Sequence, residues 1–375
     1  MNILAYVHLR NLIGSTGHGR VARQITEHLA QSAADTLHIL ADPEDHRKVV
    51  HRAGAPWTEF SYHFFDSETS WQQARWVLAG KPTAEQYWPE TQVVYCTSDS
   101  YVPTRRARLA VTLHDAAPFE QGALPRNWRF LKQRLKSKYL YQVLSRKADL
   151  IHTVSHFSAE RIAHYFPAMR SRVRVVYNGV SPRFFSPVSA EGESFLRQIG
   201  VSDRPFVLLP GGLNYRKNAE IVLKAWPLVH QHHPEIVLVV AGHCEPLYAT
   251  RAEALGDSAR LTGFVSDDAL CSLYHAAQLV WFPSLYEGFG LPVLEAMACG
   301  APVVASSSTS IPEVAGDAAM LVSPASVNEH VEAVDSLLRD SHQREDLIER
   351  GKGRVQQFTW QCSVAQLREH FLALL

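Results

Sequence analysis

The sequence Pro-Ser-Leu-Tyr-Glu-Gly-Phe-Gly-Leu-Pro-Val-Leu-Glu-Ala-Met-Ala-Cys-Gly occupies residues 283–300 and follows the apolar run Leu279–Phe282. A short apolar run predicts a buried strand, and the glycines after it allow a tight turn. Pro292 suits the first turn of a helix, and Gly300 suits the position after its end. The segment therefore predicts a strand, a glycine-rich loop and a helix whose N-terminus favours a phosphate or another anion.

Two carboxylates accompany this loop. Glu287 precedes the predicted helix and Glu295 lies about one turn inside it, so both can contact one ligand. Carboxylates are poor ligands for phosphate but good acceptors for sugar hydroxyls. The pattern points to a nucleotide sugar lying along the loop. The alternative is that the glycines only build a turn and that both carboxylates are solvated.

A second glycine loop, Gly-Gly-Leu-Asn-Tyr-Arg-Lys-Asn at residues 211–218, also follows a predicted strand. Its two cations, Arg216 and Lys217, could neutralise a diphosphate and stabilise its departure as a leaving group. A solvated basic turn is the alternative. The first strand of the chain is likewise followed by glycines, at Gly14, Gly17 and Gly19.

Short β-branched runs alternate with helical patterns along all 375 residues, a length that suggests two domains. The alternation predicts an α/β protein with two doubly wound, Rossmann-like domains, which would make a cleft if they lie face to face. Prolines and small polar residues over 181–193 predict a linker. We predict an N-terminal domain over 1–180, a C-terminal domain over 181–357 and a final amphipathic helix over 358–375.

The predicted strands divide into one set on each side of the linker. They are Ile3–Val7, Thr36–Ala41, Val93–Cys96, Leu109–Leu113, Leu150–Val154 and Val173–Tyr177 in the first half, and Phe206–Leu209, Ile236–Ala241, Arg260–Gly263, Leu279–Phe282, Pro302–Ala305 and Met320–Val322 in the second.

Composition restricts the function further. Lys plus Arg and Asp plus Glu both number 37, so net charge gives no reason to expect nucleic-acid binding. Five single cysteines without a CxxC or a His/Cys metal spacing favour reduced thiols over a disulfide framework. The apolar start is interpreted as a strand, and no apolar run approaches the ~18 residues needed to span a bilayer. We expect a cytoplasmic protein, at most peripheral on the inner face of a membrane.

These segments together resemble the family 4 retaining glycosyltransferases, which have the GT-B fold. The most specific match is Glu287 and Glu295 within Glu-Gly-Phe-Gly-Leu-Pro-Val-Leu-Glu-Ala-Met-Ala-Cys-Gly. Supporting matches are Gly17-His18-Gly19-Arg20, His114-Asp115, the Ser155 region, Tyr177-Asn178-Gly179-Val180 and Arg216-Lys217-Asn218.

The resemblance implies a role for each matching position. Glu287 would contact hydroxyls of the donor sugar and Glu295 those of the ribose, while Lys217, with Arg216 beside it, would bind the diphosphate. His114 would face the donor sugar from the first domain, and with Lys217 and Glu287 it completes the implied catalytic set. Further donor contacts are implied for Gly17, Phe264, Val265, Gly288, Phe289, Gly290 and Leu291, with Phe264 and Val265 against the base. Many relatives carry an additional arginine where this chain has 211–213, so Lys217 would carry more of the diphosphate binding.

The same resemblance implies the reaction. A hexose would be transferred with retention by front-face substitution, without a metal or other cofactor. GDP-mannose is the first donor candidate, ahead of UDP-hexoses and dTDP-rhamnose, and surface-polysaccharide or lipopolysaccharide assembly is the expected setting. A sugar-nucleotide epimerase of related fold and a non-catalytic nucleotide-sugar binding protein remain alternatives.

The acceptor is less clearly encoded. Residues 126–147 contain eight basic and no acidic residues, interleaved with aromatic and aliphatic ones. Such a helix can lie on an anionic membrane or attract a lipid-diphosphate acceptor; alternatively, it packs its apolar stripe on the sheet. A glycan or lipid-diphosphate-linked molecule is the expected acceptor. In relatives, the final helix crosses back to the first domain.

Two other patterns are interpreted as structural. His230, His232 and His233 have no carboxylate or cysteine at ligand spacing, and we expect them to be solvated. Asp267-Asp268 after Ser266 predicts a helix start and not a metal-binding pair.

Overall fold

The computed structural model describes residues 1–13, 17–125 and 127–375, with residue 129 described by its backbone alone. The described residues form two compact units. Unit 1 comprises Met1–Phe119, Arg126–Gly179 and Trp360–Leu375, and unit 2 comprises Glu120–Pro125 and Val180–Thr359. Gly14 and Arg126, which the sequence patterns include, lie outside the described residues.

Unit 1 is built on one parallel sheet. Its strands are β1 (Asn2–Tyr6), β2 (Thr36–Ala41), β3 (Ser61–Phe64), β4 (Val93–Cys96), β5 (Arg108–Thr112), β6 (Leu150–Thr153) and β7 (Val173–Val175). They lie side by side in the order β3-β2-β1-β4-β5-β6-β7, and each pair is parallel. The helices before the linker are α1 (Gly17–Ala30), α2 (Pro43–Ala53), α3 (Thr69–Ala79), α4 (Ala84–Tyr87), α5 (Trp128–Lys147) and α6 (His156–Tyr165).

Unit 2 repeats this architecture. Its strands are β8 (Phe206–Pro210), β9 (Val237–Ala241), β10 (Ala259–Gly263), β11 (Leu279–Phe282), β12 (Val303–Ser306) and β13 (Met320–Val322), in the order β10-β9-β8-β11-β12-β13. The helices are α7 (Ala190–Gln198), α8 (Ala219–His232), α9 (Pro246–Glu253), α10 (Asp267–Ala276), α11 (Leu291–Ala298), α12 (Ile311–Ala315), α13 (Val327–Arg339) and α14 (Ser341–Val355). The prediction of α/β architecture with two Rossmann-like sheets is confirmed.

The central strands are continuous apolar runs because helices cover both faces of a parallel sheet. In β8 and β11, every residue is buried. Trp281 of β11 and Trp226 of α8 are fully buried in one core with the neighbouring strands. The core of unit 1 likewise encloses Trp76 and Tyr6. These cores fix the strands whose carboxyl ends carry the loops described below.

Strand β3 is absent from the sequence-based expectation, which had six strands in the first half. It pairs with β2 at the edge of the sheet and has the sequence Ser-Tyr-His-Phe, in which polar residues interrupt the apolar ones. An edge strand pairs with one neighbour and is less buried than a central strand. It therefore does not need the continuous apolar run that identified the other strands.

The last helix, α15 (Trp360–Leu372), belongs to unit 1. Phe371 is fully buried, with its ring 5.2 Å from that of Tyr95. Arg368 forms an ion pair with the buried carboxylate of Asp35, and the Ser363 hydroxyl donates to the carbonyl of Tyr177. Among the described residues, the structure has no helix that is both long and apolar enough to span a membrane.

Candidate active site

The two glycine loops of the second half follow the two strands at which the strand order of unit 2 reverses. Residues 211–218, the Arg-Lys loop, follow β8, and residues 283–290, the glutamate loop, follow β11. Because β8 and β11 are neighbours in a parallel register, both loops leave the same edge of the sheet. This is the position at which open α/β sheets bind ligands.

The Arg-Lys loop depends on its second glycine. Gly212 has φ of 76°, and a Cβ built on it would lie 1.9 Å from the carbonyl oxygen of His243. The loop after β8 therefore packs backbone to backbone against the loop after β9, and a side chain at Gly212 would separate them. The loop ends at Asn218, which has the left-handed φ of 58° and precedes α8.

Asn218 connects the two loops, a role that the sequence did not indicate. Its side-chain amide donates to the carbonyl of Pro283 at 3.0 Å and to that of Pro324 at 2.8 Å. The amide of Leu285 donates to the carbonyl of Arg216 at 2.9 Å. These bonds hold the Arg-Lys loop and the glutamate loop together, so that their charged side chains meet.

The glutamate loop is held from its other side by residues after β12. The Ser310 hydroxyl contacts the carbonyls of Glu287 and Phe289 at 2.9 Å each, and the amide of Glu287 donates to the Thr309 hydroxyl. Helix α11 then begins at Leu291, after Gly290 with φ of 108° and with Pro292 in its first turn. The start and the end of this helix are thus confirmed, and its positive N-terminal dipole follows the loop.

Lys217 and Glu287 form the central contact of the site. Lys217 Nζ lies 2.7 Å from Glu287 Oε1 and 4.4 Å from the centre of the Phe282 ring, and both side chains of the ion pair are nearly buried. Burial lowers the pKa of the Lys217 ammonium, against the opposing effect of Glu287. Burial alone would raise the pKa of Glu287, but the charges of Lys217 and Arg216 outweigh it, so that pKa is lowered. The pair is a preorganised charge site in a region of low dielectric.

Glu295 lies on α11 and is 3% exposed. The hydroxyl of Tyr274, on α10, donates to its Oε2 at 3.0 Å. Glu295 also favours the charged form of Lys217, which places the three charged groups in one electrostatic neighbourhood. Tyr274 fixes the orientation of the carboxylate. Sequence reasoning missed this contact because the two residues are 21 positions apart on different helices.

The segment after β10 supplies an aromatic surface at the same edge of the sheet. Phe264 is 68% exposed, and its ring stacks on that of His243 at a centroid distance of 6.2 Å. Val265 is half-buried beside it. An exposed aromatic ring of this kind can stack on a nucleobase.

The implied residues of unit 1 lie at the carboxyl end of β5 and the start of α1. His114 is buried, and its ring stacks on that of His18 at 4.2 Å. Burial and, to a smaller extent, His18 hold the pKa of His114 well below its ordinary value, so the ring is neutral at neutral pH. Among the described residues, His114 Nε2 has no hydrogen-bond partner. Apart from the chain neighbours of Gly17 and the backbone of its own helix, no described atom lies within 4 Å of a Cβ built on this residue.

One interpretation outside the site is wrong, and one is confirmed. His233 is buried and not solvated: its Nε2 lies 2.7 Å from Asp335 Oδ1, a carboxylate contributed by α13 that sequence spacing could not reveal. The predicted helix start at Asp267-Asp268 is confirmed, because the Ser266 hydroxyl accepts from the amide of Ala269 at the beginning of α10.

Helix α5 fits the alternative of an apolar stripe packed on the sheet in its last part only. Tyr141 and Leu144, in its last part, are buried. In its first part, four apolar side chains that recur every three or four residues, and so share one face, are exposed. They are Trp128 (68% exposed), Leu131 (44%), Leu135 (59%) and Tyr139 (49%).

The two Rossmann-like units define a class, the proteins of GT-B fold. Two family models match the chain, "Glycosyltransferase Family 4" over residues 15–184 and "Glycosyl transferases group 1" over residues 193–354. The chain belongs to the family 4 glycosyltransferases, and it is a glycosyltransferase.

Relatives and solved structures agree with this assignment. The O-antigen chain mannosyltransferase B of Escherichia coli is 32% identical over 279 residues, which are 73% of this chain and 72% of the relative. The MMP alpha-(1->4)-mannosyltransferase of Mycolicibacterium hassiacum is 32% identical over 60% of this chain and 54% of its own length. The serotype-specific mannosyltransferase WbdA of E. coli is 31% identical over 61% of this chain, which spans 29% of that protein.

Two solved structures share the fold over nearly the whole chain. Anabaena Alr3699/HepE, in complex with UDP and glucose, has a TM-score of 0.76 at 19% identity, with 100% of both chains covered. WaaG, a glycosyltransferase involved in lipopolysaccharide biosynthesis, has a TM-score of 0.71 at 15% identity, with 97% of this chain and 98% of WaaG covered. At these identities, the likeness concerns the fold.

Proposed function

We propose that this glycosyltransferase transfers a hexose from a nucleotide-diphosphate sugar to a glycan or lipid-linked acceptor, with retention of the anomeric configuration, in polysaccharide or O-antigen assembly. The observation that carries the proposal is the 2.7 Å contact between Lys217 and Glu287 beside the N-terminus of α11. The site combines a cation, a helix dipole and two carboxylates where the strand order of unit 2 reverses. This combination suits a molecule that has both a diphosphate and sugar hydroxyls.

In the bound state, each group has a distinct task. Lys217, with Arg216 beside it, binds the diphosphate, which releases Glu287 from its ion pair to accept hydrogen bonds from the donor sugar. Glu295, oriented by Tyr274, accepts bonds from the ribose hydroxyls. The amides of residues 288–291 add donors for the sugar and phosphates, and Phe264 and Val265 lie against the base.

The proposed reaction is a substitution on the face from which the diphosphate leaves. The acceptor oxygen forms a bond to the anomeric carbon, the bond from that carbon to the diphosphate oxygen breaks, and the diphosphate takes the proton of the acceptor hydroxyl. Lys217 stabilises the charge that develops on the diphosphate. The neutral His114, whose Nε2 has no hydrogen-bond partner within the described part of the chain, holds a hydroxyl of the donor sugar through that nitrogen, and Gly17 leaves room for the ligand. None of these steps requires a metal or another cofactor.

Mannose is the first candidate for the transferred sugar. The relatives described above are named mannosyltransferases. HepE, by contrast, binds UDP and glucose, but its 19% identity carries the fold and not the donor. GDP-mannose therefore precedes UDP-hexoses and dTDP-rhamnose in the order of candidates.

The acceptor side is assigned to a cavity of about 840 Å³ within unit 1. Its floor contains residues that follow β1, β2 and β4, namely His8, Asp42, Asp99 and Ser100. His8 Nε2 lies 2.9 Å from the Ser100 hydroxyl, and burial, then Arg10, lowers the pKa of His8 to about 4. Carboxylates and hydroxyls beside apolar side chains of α3 and α5 suit the hydroxyls and the ring faces of a glycan.

Helix α5 connects this cavity with a membrane surface. Tyr139 and Lys136 line the cavity, while Trp128 and Leu135 lie exposed on the same helix among exposed lysines and arginines. Basic residues attract anionic lipids, and the exposed apolar side chains can enter the headgroup region. We assign this peripheral contact to the inner face of the membrane, where it would present the glycan of a lipid-linked acceptor to the cavity.

The proposal is tested first on the donor. The protein is titrated with GDP-mannose, UDP-glucose, dTDP-rhamnose and the free diphosphates in the presence of a chelator, and thermal unfolding is followed. A ligand at about 100 times its dissociation constant adds roughly 2.7 kcal/mol to stability, so the correct nucleotide gives a clear shift. The absence of any shift would contradict the donor site.

The reaction itself is tested with the donor so identified and with lipid-linked glycans from bacterial membranes as acceptors. We expect an α-linked product from an α-linked donor, determined from the anomeric coupling constant. Inversion would contradict the mechanism. Conversion of the donor to another sugar nucleotide without acceptor would indicate an epimerase, and binding without turnover would indicate a binding protein.

A further inference from the structure

Two cysteines and one histidine that the donor site does not use lie together in unit 2. The sulfur atoms of Cys271 and Cys299 and a ring nitrogen of His275 are all within 4.8 Å of one another. Both cysteines are more than nine-tenths buried, and His275 is partly exposed. We infer that these three side chains form a binding site for a zinc-class divalent metal ion, distinct from the donor site and with a structural role.

The ligand set has the chemistry of a zinc site. Thiolate and imidazole are the preferred ligands of Zn²⁺, with bonds of about 2.3 Å to sulfur and about 2.0 Å to nitrogen. Tetrahedral geometry with these bonds places the ligand atoms roughly 3.5–3.8 Å apart. Shifts of about 1 Å or less in the present arrangement would close such a site, and the partly exposed His275 leaves the fourth position to water.

Secondary structure aligns two of the ligands. Cys271 and His275 are one turn apart on α10, so both side chains lie on the same face of the helix. Cys299 comes from the residue that ends α11, next to Gly300 with φ of 73°. The expectation that the cysteines lack a metal-ligand spacing overlooked Cys271 and His275, and the third ligand, 24 residues after His275, has no sequence signal.

The surroundings orient these groups for a metal. Nε2 of His275 lies 3.0 Å from the carbonyl oxygen of Ser186 and donates to it, which leaves the other ring nitrogen to bind a metal. A hydrogen bond from one ring nitrogen to a backbone carbonyl is the usual support of a metal-binding histidine. The carbonyls of Arg183 and Phe184 lie 3.4 Å from Cys271 Sγ and 3.2 Å from Cys299 Sγ, respectively. Once the thiols have lost their protons, these carbonyls can accept from metal-bound water.

In the metal-free protein, the thiols of Cys271 and Cys299 donate to the carbonyls of Arg183 and Phe184, respectively. Metal binding would release both thiol protons, because the thiolate is the form that binds metals.

A metal at this position would join helix α10 to the C-terminal end of α11, beside the turn Pro182–Phe185. Because α11 spans eight residues, or about 12 Å, the metal lies at the opposite end of the helix from the glutamate loop. Cys299 lies one turn beyond Glu295, so the metal would stabilise the helices that carry the donor site without contacting the glutamate loop.

The test uses the whole chain of 375 residues, reduced with a phosphine and freed of metals with a chelator that is then removed. Co²⁺ is titrated as a spectroscopic probe, and Zn²⁺ is then added. We expect one Co²⁺ per chain, a near-ultraviolet thiolate-to-cobalt absorption and intense tetrahedral bands in the visible, all of which Zn²⁺ removes. Zn²⁺ also raises the unfolding temperature. Cys271→Ser, Cys299→Ser and His275→Gln each weaken binding by at least about tenfold.

The control is Cys362→Ser, which removes an exposed thiol in unit 1 and leaves binding unchanged. Circular dichroism of each metal-free variant verifies that it folds. The inference is overturned if the reduced wild-type protein gives no thiolate-to-cobalt band, or if Cys271→Ser binds Co²⁺ like the wild type. Formation of a Cys271–Cys299 disulfide in preference to metal binding, detected by mass under air, also overturns it. None of these readouts depends on the donor or on turnover.

Discussion

The glycine loops of unit 2, to which we assign the donor, and the cavity of unit 1, to which we assign the acceptor, occupy equivalent positions. Each lies at the carboxyl ends of strands where the sheet order reverses. They differ in how their polar groups are held. In unit 2, Lys217 and Glu287 are paired at 2.7 Å and nearly buried. In unit 1, the cavity is wide, about 840 Å³, and its polar side chains come from many elements. A diphosphate requires a fixed arrangement of charge, whereas an acceptor glycan can be bound by a broad polar surface.

Removal of the central cation, Lys217, tests the proposed role of unit 2 most directly. Lys217→Ala is expected to lower kcat/KM by roughly 10²–10³, because the charge that stabilises the departing diphosphate is lost. The measurement is initial rates at saturating acceptor over a range of donor concentrations. Near-normal turnover would refute the leaving-group role.

Two controls separate chemistry from folding in this experiment. Lys224→Ala removes an exposed lysine of α8 and should leave the rate unchanged. Loss of Lys217 leaves the buried Glu287 carboxylate unpaired, which destabilises the fold, so the double variant with Glu287→Gln should recover part of the unfolding temperature but none of the activity.

Helix α5 provides the second test, on the side of unit 1. Trp128→Ser combined with Leu135→Ser should weaken binding to anionic vesicles by about 2 kcal/mol, or roughly 30-fold, since two exposed apolar side chains no longer enter the interface. Cosedimentation with vesicles containing phosphatidylglycerol measures this. High salt should weaken binding of the wild type as well.

The matched control is Leu247→Ser, which changes an equally exposed leucine on α9 of unit 2. It should bind vesicles like the wild type. If the wild type does not bind vesicles at low salt, α5 is not a membrane surface. The same conclusion follows if Leu247→Ser loses as much binding as the double variant of Trp128 and Leu135.

The two regions also differ in what the sequence could predict. The strand, loop and helix around Glu287 were predictable because the glycines, the proline and the carboxylates are close together in the chain. The links from Asn218 to Pro283 and from Tyr274 to Glu295 were not, because they join side chains brought together by the sheet order. The exposure of Trp128 was likewise hidden, since helical spacing is the same for a buried and an exposed stripe.

The third test concerns a carboxylate of unit 1 whose role is structural, in contrast to Glu287. Glu85 accepts from the amides of Arg105, Arg106 and Ala107 at 2.7–2.9 Å. Burial alone would raise its pKa, but these three bonds lower the pKa from 4.5 to about 2. The folded state therefore binds its proton less tightly than the unfolded state does. The resulting stability is complete above pH 4.5 and is lost as the pH falls from about 4.5 to 2.

Glu85→Gln should accordingly lower the free energy of unfolding at pH 7 by roughly 1–2 kcal/mol after solvent screening, with the difference vanishing near pH 2. Denaturant unfolding at a series of pH values measures it. Glu90→Gln, which changes an exposed carboxylate nearby, is the control and should give a small, constant difference. A difference for Glu85→Gln that is independent of pH would show that the three amide bonds do not favour the ionised form.

Removal of one tyrosine hydroxyl from each unit tests which unit binds the donor and which binds the acceptor. Tyr274→Phe removes the donor that orients Glu295 and should raise the dissociation constant of the nucleotide diphosphate about threefold to fivefold, the cost of roughly 1 kcal/mol for one hydrogen bond. Tyr139→Phe removes a hydroxyl that lines the cavity of unit 1 and should change only the KM for the acceptor. Calorimetry and acceptor titrations measure the two constants in both variants. Since each variant serves as the control for the other, an effect of Tyr139→Phe on nucleotide affinity, or of Tyr274→Phe on acceptor KM alone, would mean that donor and acceptor are assigned to the wrong units.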